Sequence, residues 1–264
     1  MKELVIVKIG GNVIDDKEAL RSFLSDFAAI KSPKILVHGG GKLATELSAK
    51  LGIETKMVDG RRITDEATLQ VVTMTYAGWI NKTIVAQLQS LGCNALGITG
   101  ADGGAITAVK RQVAAIDYGF VGDVNRESVN TGFLSTILDT DMALIVAPIA
   151  ADAGGTLLNV NADTMARVVT EALNSTYSTS LIYCFEKAGL LSNVEEDNSV
   201  ISTLNISEVD MLKSNGTISK GMIPKVDNAL KAKQSGAASV VIGHAKDLIK
   251  LVNNQQGYGT SIAG

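Results

Sequence analysis

Short apolar runs alternate with stretches in which apolar residues recur every third or fourth position, along the whole chain. Runs at 4–9, 34–37, 95–98, 142–147, 181–184 and 239–242 predict buried strands. Between the first two, Leu20, Phe23, Leu24 and Phe27 predict a helix, and Leu43, Leu47 and Leu51 predict another, closed by Gly52. Thr64, Asp65 and Glu66 supply an N-cap and an acidic first turn for a long helix over 65–91. The glycine-rich stretch 102–124 predicts short hairpins. Helices are expected over 164–173, from Ser207, from Pro224 and near Leu248. Strands that alternate with helices imply βαβ units, hence an α/β fold: a three-layer αβα sandwich with a largely parallel central sheet. The chain is expected to form one globular unit with a lobe junction near residue 170.

Composition narrows the function classes. With 264 residues, 46% hydrophobic and 19% charged, the chain can bury a large core. A formal charge of −3 gives no basic excess to attract nucleic acid. Cys93 and Cys184 are the two cysteines, and neither sits in a CxxC or Cys/His cluster, so no disulfide framework or zinc site is indicated. The sequence passes from Met1-Lys2-Glu3 into a strand with no secretory pattern, and no apolar stretch reaches spanning length. Small-molecule chemistry in the cytoplasm, without membrane or nucleic-acid partners, is the expectation.

Several residues stand out chemically. Lys8 lies inside the apolar run Val5-Ile6-Val7-Lys8-Ile9 and is followed by Gly10-Gly11. Either the strand ends early and Lys8 snorkels into solvent, or the ammonium points into a cleft at the carboxyl end of a parallel strand, beside glycines that let backbone approach phosphate. His38-Gly39-Gly40-Gly41 joins a strand to a helix, where N–H groups and the helix dipole favour an anion. It matches neither a Walker A loop nor GxGxxG, and His38 reads as a structural strand-end imidazole. Asn159, Asn161 and Asp163 open a helix; Asp163 alone would be a capping charge, whereas the two amides on alternate positions suit a polar ligand. Lys225 follows Pro224 at a helix start, where a cation opposes the dipole and an anionic ligand would balance it. Arg61-Arg62 is either plain surface or a carboxylate grip.

In order along the chain stand KxGG at 8–11, HGGG at 38–41, DGxR at 59–62, Gly97-Ile98-Thr99-Gly100-Ala101-Asp102-Gly103-Gly104, Gly119-Phe120-Val121-Gly122, Ala147-Pro148-Ile149, NVNAD at 159–163 and GMIPKV at 221–226. This series resembles the amino acid kinase family over essentially the whole chain, and the last two motifs favour its acylglutamate branch. The resemblance implies phosphorylation of the side-chain carboxylate of an N-acylglutamate by ATP with Mg²⁺, the acyl group being acetyl or, alternatively, succinyl. A relative that only binds nucleotide or amino acid is the reading from another class. It also implies that Lys8 and Lys225 stabilise the transferring phosphoryl group and that Asp163 holds the two lysines. Gly10 and Gly11 would meet the nucleotide. Gly40, Gly41, Arg62, Asn159 and Asn161 would meet the acylglutamate. Nucleotide would lie on the C-terminal lobe (171–264) and acylglutamate on the N-terminal lobe (1–170).

Two segments depart from the pattern. Cys184-Phe185-Glu186-Lys187-Ala188-Gly189 replaces an SDVxG-like nucleotide contact, which assigns Glu186 and Gly189 to the nucleotide. Gly243-His244-Ala245-Lys246 replaces a DGR stretch and leaves His244 without a role. Relatives inhibited by arginine carry a helix before the first strand. This chain begins that strand by Leu4, so a homodimer without arginine feedback is expected, built on Met74, Tyr76 and Trp79 of the long helix.

Overall fold

The computed structural model describes residues 1–58, 61–193, 195–196, 199–218 and 222–264. Asp59 of the DGxR motif and Gly221 of GMIPKV lie outside the described residues. The strands are β1 Lys2–Ile9, β2 Lys34–His38, β3 Met57–Val58, β4 Arg61–Arg62, β5 Ala95–Ile98, β6 Val109–Lys110, β7 Val121–Asp123, β8 Ala143–Val146, β9 Ile149–Ala151, β10 Leu157–Val160, β11 Tyr177–Phe185, β12 Thr203–Asn205, β13 Ser239–His244 and β14 Thr260–Ala263. The α-helices are α1 Gly11–Asp15, α2 Lys17–Ala29, α3 Gly41–Lys50, α4 Glu66–Thr73, α5 Asn81–Ser90, α6 Thr131–Leu138, α7 Ala162–Leu173, α8 Val209–Ser214, α9 Ile223–Gln234 and α10 Leu248–Val252.

One eight-stranded sheet runs through the molecule in the order β12-β14-β13-β11-β1-β2-β8-β5, parallel except where β13 meets β14. Its central strands are mostly apolar because both faces are covered. In β1, Leu4 and Ile6 face one core cluster with α7 and α9, while Val5, Val7 and Ile9 face another with α2, α5 and α10. The period of two therefore puts Lys8 on the α7 side. From β1 the chain moves outward to β2 and later returns to β11 on the other flank, so the carboxyl end of β1 is a topological switch point, where a crevice forms. A four-stranded sheet, β6-β7-β10-β9, and the β3–β4 hairpin sit beside it.

Two helical expectations change. The span 65–91 begins as predicted, with the Asp65 side chain accepting from Thr68 N at 2.8 Å, but residues Met74–Ile80 between α4 and α5 form a π-helix. The wider turn carries Tyr76 and Ile80 onto the HGGG loop, leaving Met74 and Trp79 exposed. In α3 the buried face is Ala44 and Ser48, because the helix packs close; Leu43 and Leu47 are half-buried and Leu51 is exposed. Short strands β9, β10, β12 and β14 and helix α6 were not anticipated.

Candidate active site

Lys8 and Asp163 meet inside the fold, each 7% exposed. The Lys8 Nζ lies 2.7 Å from Asp163 Oδ1, and Lys225 Nζ approaches the other oxygen at 3.8 Å. Burial pushes the Asp163 carboxyl up, but the two ammonium groups outweigh it and hold the group below the ordinary carboxylate range. Lys8 therefore does not snorkel. Asp163 is also not the helix cap: Asn161 takes that position, its Oδ1 accepting from Thr164 N at 2.9 Å, which frees the aspartate to point at the lysines.

Side chains that sequence reading passed over brace this cluster. Arg167, one turn after Asp163, donates from Nη1 to Glu171 at 2.6 Å and from Nε to Asn228 at 2.9 Å, tying α7 to α9 and so fixing Asp163 against Lys225. The i, i+4 spacing of Arg167 and Glu171 was the available signal. The hydroxyl of Tyr183 donates to the Asp163 carbonyl at 3.0 Å.

Two cavities open at the glycine loops. One, about 390 Å³, is lined by Lys8, Gly10, Gly11, Asn12, Phe185, Glu186 and Lys225 among others. The second, about 210 Å³, is walled by Gly39, Gly40, Gly41, Arg61, Arg62, Asn159 and Asn161, together with Tyr76, Arg111 and Val121. The glycine loops between them are tied by Gly39 N donating to Ile9 O at 3.0 Å. Gly40 has φ 154°, and a Cβ there would lie 2.3 Å from Ile80 Cδ1 and 2.9 Å from Tyr76 Cδ1. Any side chain there is strained and must displace one or both of these neighbours. His38 is fully buried as a structural imidazole, with Nδ1 2.8 Å from Gly39 O and Nε2 3.2 Å from Asn81 Nδ2. Burial drives its pKa down to about 4, so the ring is neutral.

Arg62 is no surface residue: it is 8% exposed and donates to Gly41 O at 2.8 Å, Thr45 Oγ1 at 2.9 Å and Thr55 Oγ1 at 3.2 Å. Asn159 donates to Thr64 Oγ1 at 3.1 Å. Gly189 lines neither cavity; a Cβ there would be 2.7 Å from Thr260 Oγ1, so close packing with β14 accounts for the glycine. His244 lies in a separate recess with Glu186 and Lys246. Among the described residues no three His, Cys, Asp or Glu gather as a metal-binding group, and no helix is long and apolar enough to cross a membrane.

Comparison with known proteins identifies the family. The sequence pattern of the amino acid kinase family matches residues 3–244. Acetylglutamate kinase of Cytophaga hutchinsonii is 52% identical over 99% of both chains, and that of Parabacteroides distasonis 46% identical over 99% of this chain and all of the other. Among solved structures, N-acetylglutamate synthase from Neisseria gonorrhoeae superposes with a TM-score of 0.83 at 20% identity, covering 99% of this chain and 59% of that one. Matched in pattern over residues 3–244 and in sequence over 99% of its length, the chain belongs to the amino acid kinase family, among the acetylglutamate kinases.

Proposed function

We propose that the protein transfers the γ-phosphoryl group of ATP to the side-chain carboxylate of N-acetyl-L-glutamate, giving an acyl phosphate and ADP, the second step of arginine biosynthesis. The observation that carries this reading is the pair of ammonium groups held on one buried carboxylate, both lining a cavity with Gly10 and Gly11. A glutamate side chain, with an ordinary pKa of about 4.3, is already ionised near neutrality, so the reaction needs no general base. It needs two anions brought into line and positive charge on the migrating group. Lys8 and Lys225 supply that charge, Asp163 sets their positions, and the N–H groups of Gly10, Gly11, Gly40 and Gly41 face phosphate and carboxylate oxygens.

Arg62, Asn159 and Asn161 hold the acylglutamate in the cavity they wall, in the N-terminal lobe of residues 1–170. ATP occupies the side of Lys8, Gly11 and Glu186, toward the C-terminal lobe of residues 171–264. Mg²⁺, if bound, would neutralise phosphate charge and would be held largely through substrate phosphates, with Glu186 and Asp163 as the nearby carboxylates. An ATP-consuming biosynthetic step supports a cytoplasmic location. Exposed Met74 and Trp79, beside half-buried Leu43 and Leu47, support a two-fold homodimer built on this face. Coupled measurement of ADP release tests the reaction: N-acetyl-L-glutamate should stimulate release far more than glutamate, and no stimulation by either would overturn it.

A further inference from the structure

Arg111 lines the acylglutamate cavity but has no part in the reaction just described. Strands β6 and β7 pair antiparallel, Val109 opposite Asp123 and Lys110 opposite Gly122, and the Arg111 N–H continues the register by donating to Val121 O at 2.8 Å. Strand β7 pairs in turn with β10, Val121 opposite Asn159. Arg111, Val121 and Asn159 thus stand in one row across three strands, and residues directly opposite project from the same face. All three wall the cavity. With strands about 4.8 Å apart, the Arg111 backbone lies about 10 Å from that of Asn159, two strands beyond the one that leads into Asp163.

The guanidinium is fixed along one edge. Its Nε donates to both oxygens of Asp123 at 3.1 Å, Nη2 donates to the same carboxylate, and the Tyr118 ring lies beneath with its centroid 5.4 Å from Cζ. The other edge is different: Nη1 is buried and has no hydrogen-bond partner. A dry, unpaired donor on a cation is costly and calls for an acceptor. N-acetyl-L-glutamate offers two carboxylates, one the nucleophile beside Lys8 and the other matched to Arg62; its acetyl methyl offers Nη1 nothing.

We infer that the acyl subsite is built for a chain that ends in a carboxylate, so that N-succinyl-L-glutamate is a further substrate and Arg111 determines acyl specificity. The row reads amide, apolar, cation, from Asn159 at the acyl amide through Val121 under the methylenes to Arg111 Nη1 on the terminal carboxylate. The chemistry is unchanged. An oxygen of the glutamate side chain bonds to the γ-phosphorus, the bond from phosphorus to the ADP oxygen breaks with its electron pair leaving on ADP, and the acyl carboxylate takes no part. This inference rests on the acylglutamate kinase reading.

The test compares kcat/KM for N-succinyl-, N-butyryl- and N-acetyl-L-glutamate, butyryl matching succinyl in length without its charge. Wild-type protein should favour succinyl over butyryl by at least about tenfold, because a site with a waiting donor rejects an analogue lacking the acceptor. In Arg111→Met that ratio should fall to near one, with a melting curve as control for folding. The wild-type comparison decides the matter even if the variant misfolds. A wild-type ratio near one, or equal losses on succinyl and butyryl in the variant, overturns the inference and leaves the kinase reading standing if N-acetyl-L-glutamate is turned over. No turnover of any acylglutamate takes down both.

Discussion

Replacing Asp163 by asparagine keeps the shape of the side chain and removes the charge that two lysines share. Lys8 is 7% exposed and loses its counter-ion at 2.7 Å, whereas Lys225, at 3.8 Å and more exposed, can turn toward water. Breaking a buried ion pair from one side costs about 3–5 kcal/mol, because the remaining charge stays buried and uncompensated. With about 2–4 °C lost per kcal/mol in a chain of this size, the melting temperature should drop by about 6–20 °C. Differential scanning calorimetry on the free protein measures this. Saturating ATP should recover part of the deficit, since phosphate oxygens replace the lost charge and binding stabilises by mass action. A melting temperature within about 2 °C of wild type would refute the claim that this carboxylate holds the two ammonium groups in place.

Lys8→Ala and Lys225→Ala should each lower kcat about a hundredfold, a loss on the order of 2–4 kcal/mol of charge stabilisation, and kcat within threefold of wild type in steady-state assays would exclude the role. Arg62→Ala should raise KM for the acylglutamate more than KM for ATP. Gly40→Ala, forced against Ile80 and Tyr76, should cost about 1–3 kcal/mol in urea titrations, more than Gly104→Ala, where φ is also positive but a Cβ meets nothing within 4 Å. Because His38 is neutral when folded, with a pKa near 4 against an ordinary 6.5, its share of stability is full above 6.5 and is lost as pH falls from 6.5 toward 4. That loss amounts to about 3 kcal/mol, and denaturation curves across this window should flatten in His38→Gln. Trp79→Glu should convert a dimer to monomer by light scattering, and a wild-type monomer would remove the proposed interface.

The layers and the glycine loops were legible because they rest on local pattern. An apolar run interrupted by one cation and closed by two glycines identifies Lys8 before any fold is known, since a lysine in a strand covered on both faces needs a partner. The partner itself was half legible. Asp163 looked like a helix cap, and only the structure shows that Asn161 caps the helix and leaves the carboxylate free for Lys8. Arg111 and Tyr76 were not legible as cavity residues at all. Arg111 reaches Asn159's row through two successive strand pairings, and Tyr76 reaches Gly40 through a π-helical turn whose extra residue shifts the face. Neither register nor helix type is written in periodicity over a single element. The leucines of α3 misled for a related reason: the helix packs by its small residues, Ala44 and Ser48, and leaves the leucines half-buried or exposed.

The central claim is that a carboxylate attacks phosphorus between Lys8 and Lys225, and trapping its product tests this most directly. Incubation with MgATP, N-acetyl-L-glutamate and hydroxylamine should give the γ-hydroxamate in step with ADP, many times faster than with unacylated glutamate and nearly abolished in Lys8→Ala. ADP release without hydroxamate, or equal hydroxamate from glutamate, would contradict it.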